Sequence, residues 1–598
     1  MDNSNIVDLR IKKLRELMSE NDISFYIIPT SDPHGSEYID NAYKTREYMS
    51  GFTGSAGTLI VSKNEAALFV DGRYHIQADL ETKETCISVY KLGIDGVPSV
   101  KEYLNNQTVP EDRIGFDGRL MMEDVFESIN GTVDATFDCE LNLVRDIYEN
   151  IPKSREEKII ILDDEITGES CESKIEKVRI FIKEKDADGL FLSSLDDICY
   201  VFNIRGSDIA YNTVAYSYAY ITRESATLYL KRNAYDESTT KSFDLSSVNI
   251  ANYEEIEEEL YKIKGKKILL DKEYTSCLFY KALSVGNEVI SIKNYDVIKK
   301  YIKNEIEQKH ARNYAIADAV ALIEYIVSLK SSIHEGFEVD EYFAKEYLTS
   351  FRANMKGFYC LSFDTICGYK ENGAIVHYSV NKDSAKELEN NGLLLVDSGA
   401  HYMGATTDVT RTIPLGELSD EERAAYTVVL KGNLKLMDAI FLKGTRCENL
   451  DILARESLWK IGLDYRHGTG HGIGSFLNVH EGPIRIGYKI REDMPQPELT
   501  PGMILSDEPG YYAAGKFGIR HETQLLCVKK YETEYGEFYG FEPLTLVPFE
   551  KDAICFELLT AEEFDILKRY SDLIREKVMP YLSEDGKKWL DYNTNFID

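Results

Sequence analysis

The chain has 598 residues, 43% of them hydrophobic and 29% charged, with a formal net charge of −33. That length exceeds what one hydrophobic core serves, so three or more domains are expected, in a chain of ordinary globular composition. The acidic balance excludes non-specific DNA or RNA binding, because phosphates are repelled by such a surface.

The first residues, MDNSNIVDLR, are polar and acidic, which predicts neither a signal nor a transit peptide. No run of 18 apolar residues occurs, so no membrane span and no membrane partner are expected. The ten cysteines form no CxxC pair, and the nearest two, Cys360 and Cys367, fit no zinc ribbon. Free thiols in a reducing, cytoplasmic setting follow.

Residues 10–28 pass from an amphipathic helix into the apolar strand ISFYII, and residues 174–192 repeat this, ending in GLFL. Each strand is followed by a Ser/Asp turn and then by an aromatic stretch ending in glycine, YMSGFTG and YVFNIRG. Two related α/β units are the economical reading. Pro152 and the charged run KSREEK suggest one boundary, and the start of a long helix suggests another, giving domains at 1–154, 155–305 and 306–598. In that helix Ile316, Ala319, Ile323 and Ile326 follow the spacing of a packed face. A second helix starts at Ser419, where Glu422 completes a capping box, and a third covers NLDILARESLWKIG and stops at Gly462. Eight of the ten histidines lie beyond residue 305, which puts the chemistry there.

Asp397 ends the apolar run Leu393–Val396, and Asp408 begins the next strand. Paired as a hairpin, they send both carboxylates into one cavity, where a cation would offset the cost of burying them. His471 sits in HGTGHGIG, whose glycines oppose a helix and let the backbone pass close to a site. His467, His471 and His480 fall within 14 residues. Glu508 precedes a turn in DEPGYY, and Glu522 lies in the strand-like FGIRHETQLLCV, where Arg520 shares its face and His521 points the other way. Taken singly, each has an ordinary alternative: a turn cap, a hydrogen-bonded core histidine, a salt bridge to a neighbour such as Arg411. Together, four carboxylates and one imidazole are a donor set for Mn²⁺, Co²⁺ or Zn²⁺ rather than a soft-ligand site. Two such cations can clamp a hydroxide and polarise a carbonyl, the chemistry of hydrolysis.

The motifs SGFTGSAGT (50–58), DGRYHIQA (71–78), NGAIVHYS, VDSGA, TTDVTRT, HGTGHGIGSFLNVHEGP, DEPGYY, FGIRHE and FEPLTLVP, in this order, resemble the pita-bread metallopeptidases. Within them the chain is similar to the long, cytosolic Xaa-Pro aminopeptidases. The resemblance implies two related N-terminal α/β domains and a C-terminal domain with a curved antiparallel sheet and helices outside. It implies that Asp397 binds one of two divalent metals, that Asp408 and Glu522 bridge both, and that His471 and Glu508 bind the other, with Mn²⁺ the leading candidate. Glu508 becomes the base that activates the bridging water, while His480 and His377 face the scissile amide and the developing oxyanion. His467 and Arg520, with His377 and His480, line the substrate pocket. The implied partners are proline-containing peptides with a free N-terminus and a second copy in a homodimer. One departure is visible: the position between Arg520 and Glu522, aliphatic in relatives, is His521 here, for which a packing effect alone is expected.

The implied activity is release of the N-terminal residue when proline is second. A prolidase restricted to Xaa-Pro dipeptides is the nearest alternative, though two N-terminal units are excessive for a dipeptidase. A metal-free peptide-binding module is a more distant one, disfavoured because all five ligand positions are filled. A scaffold role has no low-complexity or repeat signal behind it.

Overall fold

Helix Asn3–Glu20 runs into strand Phe25–Pro29, and helix Cys171–Glu184 runs into strand Gly189–Leu192. These pairs open two six-stranded sheets in a computed structural model that describes residues 3–155, 157–237, 239, 243, 248–489 and 496–596. The first sheet runs, edge to edge, Ile87–Lys91, Ala66–Val70, Thr58–Ser62, Phe25–Pro29, Arg113–Phe116, Thr136–Asp138. The second runs Val248–Asn252, Ala226–Leu230, Ser217–Thr222, Gly189–Leu192, Lys267–Leu270, Glu288–Ser291. In both, the first strand in sequence takes the fourth place, its next two neighbours run antiparallel, and the remaining pairs are parallel. The duplicated helix–strand pattern is therefore a duplicated topology.

The strand residues explain why both faces are covered. In Phe25–Pro29, Tyr26 and Ile28 join a core with Val7, Ile11, Leu14 and Met18 of the first helix. Phe25 and Ile27 point the opposite way, into a core with Leu104, Phe116 and Ile129. Alternation at period two, with apolar residues on both faces, requires a helical layer on each side.

Beyond Lys300 the chain changes character, and its sheets are antiparallel. One places Ile366–Tyr369, Leu393–Ser398 and Val409–Pro414 side by side. The largest runs Ile440–Leu442, Gly536–Pro543, Thr523–Thr533, Ile504–Asp507, Gly470–Gly472, Glu481–Ile486. Helix Glu305–His334 starts at a capping box of Asn304 and Glu307 and packs on helix Glu341–Ala353. Helix Asp420–Met437 starts at the Ser419–Glu422 capping box and packs on Asp451–Trp459. Leu463 N–H bonds back to Leu458 O as Gly462, at φ +76°, turns the chain out of the latter helix. Ile316 is only half-buried, while Ala315, Asp318 and Leu322 are buried with Ala319, Ile323 and Ile326. The buried stripe is wider than the apolar pattern because it contains Asp318, paired with Arg352 at 2.8 Å.

The chain divides into two compact units, Met1–Asp163 with Glu169–Lys299, and Asp164–Gly168 with Lys300–Asp598. Among the described residues no helix is long and apolar enough to cross a membrane.

Candidate metal centre and active site

The two aspartates come from one hairpin. Leu393–Ser398 pairs with Val409–Pro414 so that Asp397 faces Thr410 and Ser398 faces Val409, with Asp408 immediately before the second strand. The segment between them folds back as a smaller hairpin, Ala400–Tyr402 against Ala405–Thr406. Gly399 permits this crossing, since a Cβ there would lie 2.0 Å from Thr407 O.

His471 is brought in by the glycine-rich turn. A Cβ on Gly470 would lie 1.9 Å from Ser506 O, so only glycine lets this segment lie against the strand that leads to Glu508. His471 Nδ1–H donates to Gly472 O at 2.9 Å, which leaves Nε2 aimed at Asp408 Oδ2 (3.3 Å) and Glu508 Oε1 (3.5 Å). Donor atoms of Asp408, His471 and Glu522 lie within 4.8 Å of one another. Thr410 Oγ1 donates to Glu522 Oε2 at 2.8 Å, and Ser506 Oγ donates to Glu508 Oε1 at 3.2 Å. Asp397 Oδ2 accepts from Arg520 Nη2 at 2.6 Å, whereas its buried Oδ1 has no hydrogen-bond partner among the described residues. Asp408 and Glu522 are buried, whereas the side chains of Asp397, His471 and Glu508 stay 13%, 17% and 20% exposed, so the cluster opens on that side.

The electrostatics follow from crowding. Burial raises the Asp397 carboxyl above its ordinary range, and Asp408 adds to this against the pull of Arg520. Burial likewise raises Glu508, opposed by His471 and reinforced by Asp408. Glu522 is raised well above its ordinary range by burial, then Asp408, then Asp397, with the Thr410 hydrogen bond opposing. Burial would depress His471, but its hydrogen bond to the Asp408 carboxylate and the charge of Glu508 outweigh it and hold the imidazole up to about 9. Four converging carboxylates, one with an orphaned oxygen, cannot all be ionised without positive charge among them. The donor set fits divalent cations held by oxygen and one imidazole nitrogen.

One wall of the cluster is a hydrogen-bonded chain. Arg520 Nη1 donates to Tyr512 Oη at 2.7 Å, and Tyr512 O–H donates to His467 Nε2 at 2.9 Å, while His467 Nδ1–H is held by Gly468 O at 2.7 Å. Arg520 thus does pair with an acidic residue, and that residue is Asp397. Arg411 instead spends its guanidinium on Val547 O, Glu522 O and Tyr570 Oη, so neither aspartate belongs to it. His480 packs edge-on against His471, ring centroids 4.2 Å apart. His377 is in a turn after the Lys370–Ala374 helical turn rather than in a strand, and Arg520 Nη2 reaches the preceding Val376 O at 3.5 Å. His521 faces away, between Tyr426 and Phe549, as the strand alternation predicts.

Three contributors escaped the sequence reading. Tyr512, in the DEPGYY motif, joins Arg520 to His467, and Thr410 holds Glu522. Asp507 is buried beside Glu508 with neither carboxylate oxygen hydrogen-bonded, and burial lifts it well above the ordinary range. The DEPGYY and TTDVTRT motifs contain all three, but only the folded contacts assign them partners.

Comparison with known proteins agrees with this geometry. A model described as metallopeptidase family M24 matches residues 309–529, with the C-terminal region of peptidase M24 at 537–597. Two creatinase/prolidase N-terminal domain models match residues 10–145 and 150–307. The "Probable Xaa-Pro aminopeptidase P" of Tuber melanosporum is 38% identical over 98% of this chain and 99% of its own. "Xaa-Pro aminopeptidase 1" of Dictyostelium discoideum is 37% identical over 97% of this chain and 95% of its own. The crystal structure of the Caenorhabditis elegans X-prolyl aminopeptidase, described as a cytosolic enzyme with a di-nuclear active site, superposes with a TM-score of 0.93. It is 31% identical and covers 99% of this chain and 100% of that one. With two creatinase-type N-terminal domains ahead of a pita-bread domain, and full-length relatives above 30% identity, this chain belongs to the Xaa-Pro aminopeptidases of metallopeptidase family M24.

Proposed function

We propose that the chain is a metal-dependent exopeptidase that removes the N-terminal residue from peptides with proline in second position. The observation that carries this is the convergence of Asp397, Asp408, His471, Glu508 and Glu522 on one opening, in a chain 38% identical along its length to an Xaa-Pro aminopeptidase. Two divalent cations are the expected complement, Mn²⁺ by the oxygen-rich donors, with Co²⁺ and Zn²⁺ as alternatives. When bound, they would supply Lewis-acid charge that polarises the scissile carbonyl and makes the attacking water more acidic.

The residues have distinct tasks. Asp397, Asp408, His471, Glu508 and Glu522 hold the cations. Glu508, on the open side, takes the proton from the attacking water and returns it to the proline nitrogen. That return is needed because a peptide bond to proline has no N–H and its nitrogen must leave as a secondary amine. His480 and His377 stabilise charge on the carbonyl oxygen and orient the amide. Arg520, fixed by Tyr512 and Asp397, forms with His467 the wall against which the proline ring rests. The substrate amine anchors beside Asp397, which restricts cleavage to the first residue.

The division into 1–154, 155–305 and 306–598 belongs to the same reading; the two six-stranded sheets and the matched family ranges support it. A cytoplasmic homodimer is proposed with it.

The test uses protein stripped with chelator and then loaded with Mn²⁺, Co²⁺ or Zn²⁺ in turn. Arg-Pro-Pro should be cleaved at Arg-Pro only after metal is restored, with about two ions per chain by emission spectroscopy. Cleavage of Ala-Pro but not Arg-Pro-Pro would move the assignment to prolidase, and metal-free protein that binds the tripeptide without cleaving it would make the domain a binding module.

A further inference from the structure

His480 is followed by a buried acid that the proposed reaction does not use. Glu481 opens the strand Glu481–Ile486, and its side chain is 1% exposed. Glu481 points into the protein directly after the bend at Val479 and His480, which brings the His480 ring against His471. There Glu481 Oε2 is bonded by Lys303 Nζ, itself wholly buried, and Lys300 Nζ stands 4.0 Å from Oε1. Oε1 has no hydrogen-bond partner among the described residues.

Lys303 is held rigidly. Its Nζ also donates to Lys300 O at 2.7 Å, its backbone N–H donates to Gly502 O at 2.8 Å, and its carbonyl accepts from Gln308 Nε2 at 2.8 Å. Glu481 is equally tied to the metal side. It pairs in the sheet with Gly472, and a Cβ on Gly472 would lie 2.3 Å from Glu481 O. Gly472 O is the acceptor that turns His471 Nε2 toward Asp408 and Glu508.

A buried ion pair is a weak source of stability, because desolvation of both charges offsets their attraction and an apolar pair would serve as well. What it supplies is a fixed length and direction. We propose that Glu481, locked by Lys303, is a positioning residue: it sets the reach of His480 into the site and, through the Gly472 pairing, the aim of the His471 imidazole. This rests on the aminopeptidase reading for His480, but its His471 half concerns donor geometry alone.

The experiment compares Glu481→Gln, Glu481→Asp and the double variant Lys303→Met/Glu481→Leu with the parent. Thermal midpoint, Co²⁺ affinity by absorbance titration, and kcat and KM on Arg-Pro-Pro are measured for each. The double variant replaces the ion pair by apolar contact and should recover the parent's midpoint. It should still bind Co²⁺ about 10–100-fold more weakly, as loss of an outer support to a metal ligand does. Its kcat should fall about 10–100-fold, with KM changed much less, as displacement of a reacting group by a fraction of an ångström does. Glu481→Asp keeps the charge but shortens the tether, and should lower kcat while folding normally, which decides the matter if the other variants do not fold. Parental kcat and Co²⁺ affinity in either variant that folds would reduce the pair to a core contact and overturn the proposal. A parent that binds Co²⁺ but leaves Arg-Pro-Pro intact would instead defeat the aminopeptidase reading, with the affinity measurement still deciding Glu481.

Discussion

Two buried polar clusters in this protein look alike in composition and differ in balance. In the N-terminal unit His34 is 1% exposed, stacked on Tyr218 at 4.4 Å and flanked by Tyr216 and Tyr253. Its Nδ1–H donates to Ser193 O at 2.7 Å and its Nε2 accepts from Tyr253 O–H at 2.7 Å. Burial depresses this imidazole to about 3, so it is a neutral ring with both nitrogens used. In the catalytic unit His471 is held the opposite way, up to about 9, by carboxylates that themselves lack enough donors. The difference teaches that burial does not mark a site. His34, satisfied at both nitrogens, is a structural tie; surplus negative charge around a histidine with one nitrogen aimed at it is a donor set suited to cations.

The largest way to sharpen this comparison is Glu508→Gln, which removes the proton acceptor while keeping size and one ligand oxygen. Turnover of Arg-Pro-Pro by Mn²⁺-loaded protein should fall about 10²–10⁴-fold, the range for loss of a general base, with the thermal midpoint near the parent's. A variant within threefold of the parent would take the base role from Glu508.

Next in size is the pH response of chelator-treated protein. Asp397, Glu508 and Glu522 are raised in the folded state, so between their ordinary and raised values the folded protein binds more protons than the unfolded one. Stability from these groups is present at low pH and lost as pH rises through the raised values. His471 adds in the same direction: its contribution is full below about 6.5 and is lost as pH rises through about 9. The thermal midpoint of stripped protein should therefore decline between pH 6 and 9 relative to Mn²⁺-loaded protein, in which the cations replace the protons. Parallel curves for the two forms would mean that the carboxylates are not crowded as the fold places them. His34 acts in the opposite direction, because its imidazole is neutral in the folded protein while the unfolded chain takes up a proton below about 6.5; that contribution is common to the stripped and loaded forms and cancels in their difference.

How much of this was legible in the amino-acid sequence depends on the range of each interaction. Asp397 and Asp408 could be placed because an apolar strand run and a hairpin are local patterns, and the Ser419–Glu422 cap because it spans one turn. The shared topology of the two N-terminal sheets was legible only as a repeated helix–strand pair, since strand order depends on contacts between distant segments. The partners of Arg520 were not legible: Asp397 lies more than a hundred positions away, and Tyr512 lies in the adjoining strand of a hairpin whose pairing had to form first. Lys303 and Glu481 are more distant still, and nothing in IKNEIEQ announces a buried lysine. Asp318 inside the buried stripe of its helix is invisible to apolar spacing for the same reason, because Arg352 makes it admissible.

Tyr512→Phe tests the wall on a smaller scale. It deletes the hydroxyl between Arg520 and His467 without altering ring packing, so two hydrogen bonds are lost and His467 Nε2 is left without its donor. A cost of about 1–2 kcal/mol, or roughly 5–30-fold in kcat/KM, is expected for proline-second peptides. Metal content should be unchanged, because Arg520 keeps its direct bond to Asp397. An equal loss of metal would mean that Tyr512 acts on the ligands rather than on the pocket.

The smallest effect on catalysis should come from His34→Leu, which removes the tie on the other side of the comparison. Ser193 O loses the His34 donor and Tyr253 O–H is left with only the longer contact to Tyr218 Oη at 3.4 Å, at a cost of about 1–3 kcal/mol. Leucine restores some apolar contact but not the stack on Tyr218, so the thermal midpoint should drop by several degrees. Turnover on Arg-Pro-Pro and metal stoichiometry, measured well below that midpoint, should match the parent. His34 is buried with both nitrogens satisfied and has no lone pair, proton or open face to offer a substrate, so its removal should act only through folding. If kcat fell while the midpoint held, that inference from hydrogen-bond completeness would fail, and the N-terminal unit would have to be granted a direct part in the reaction.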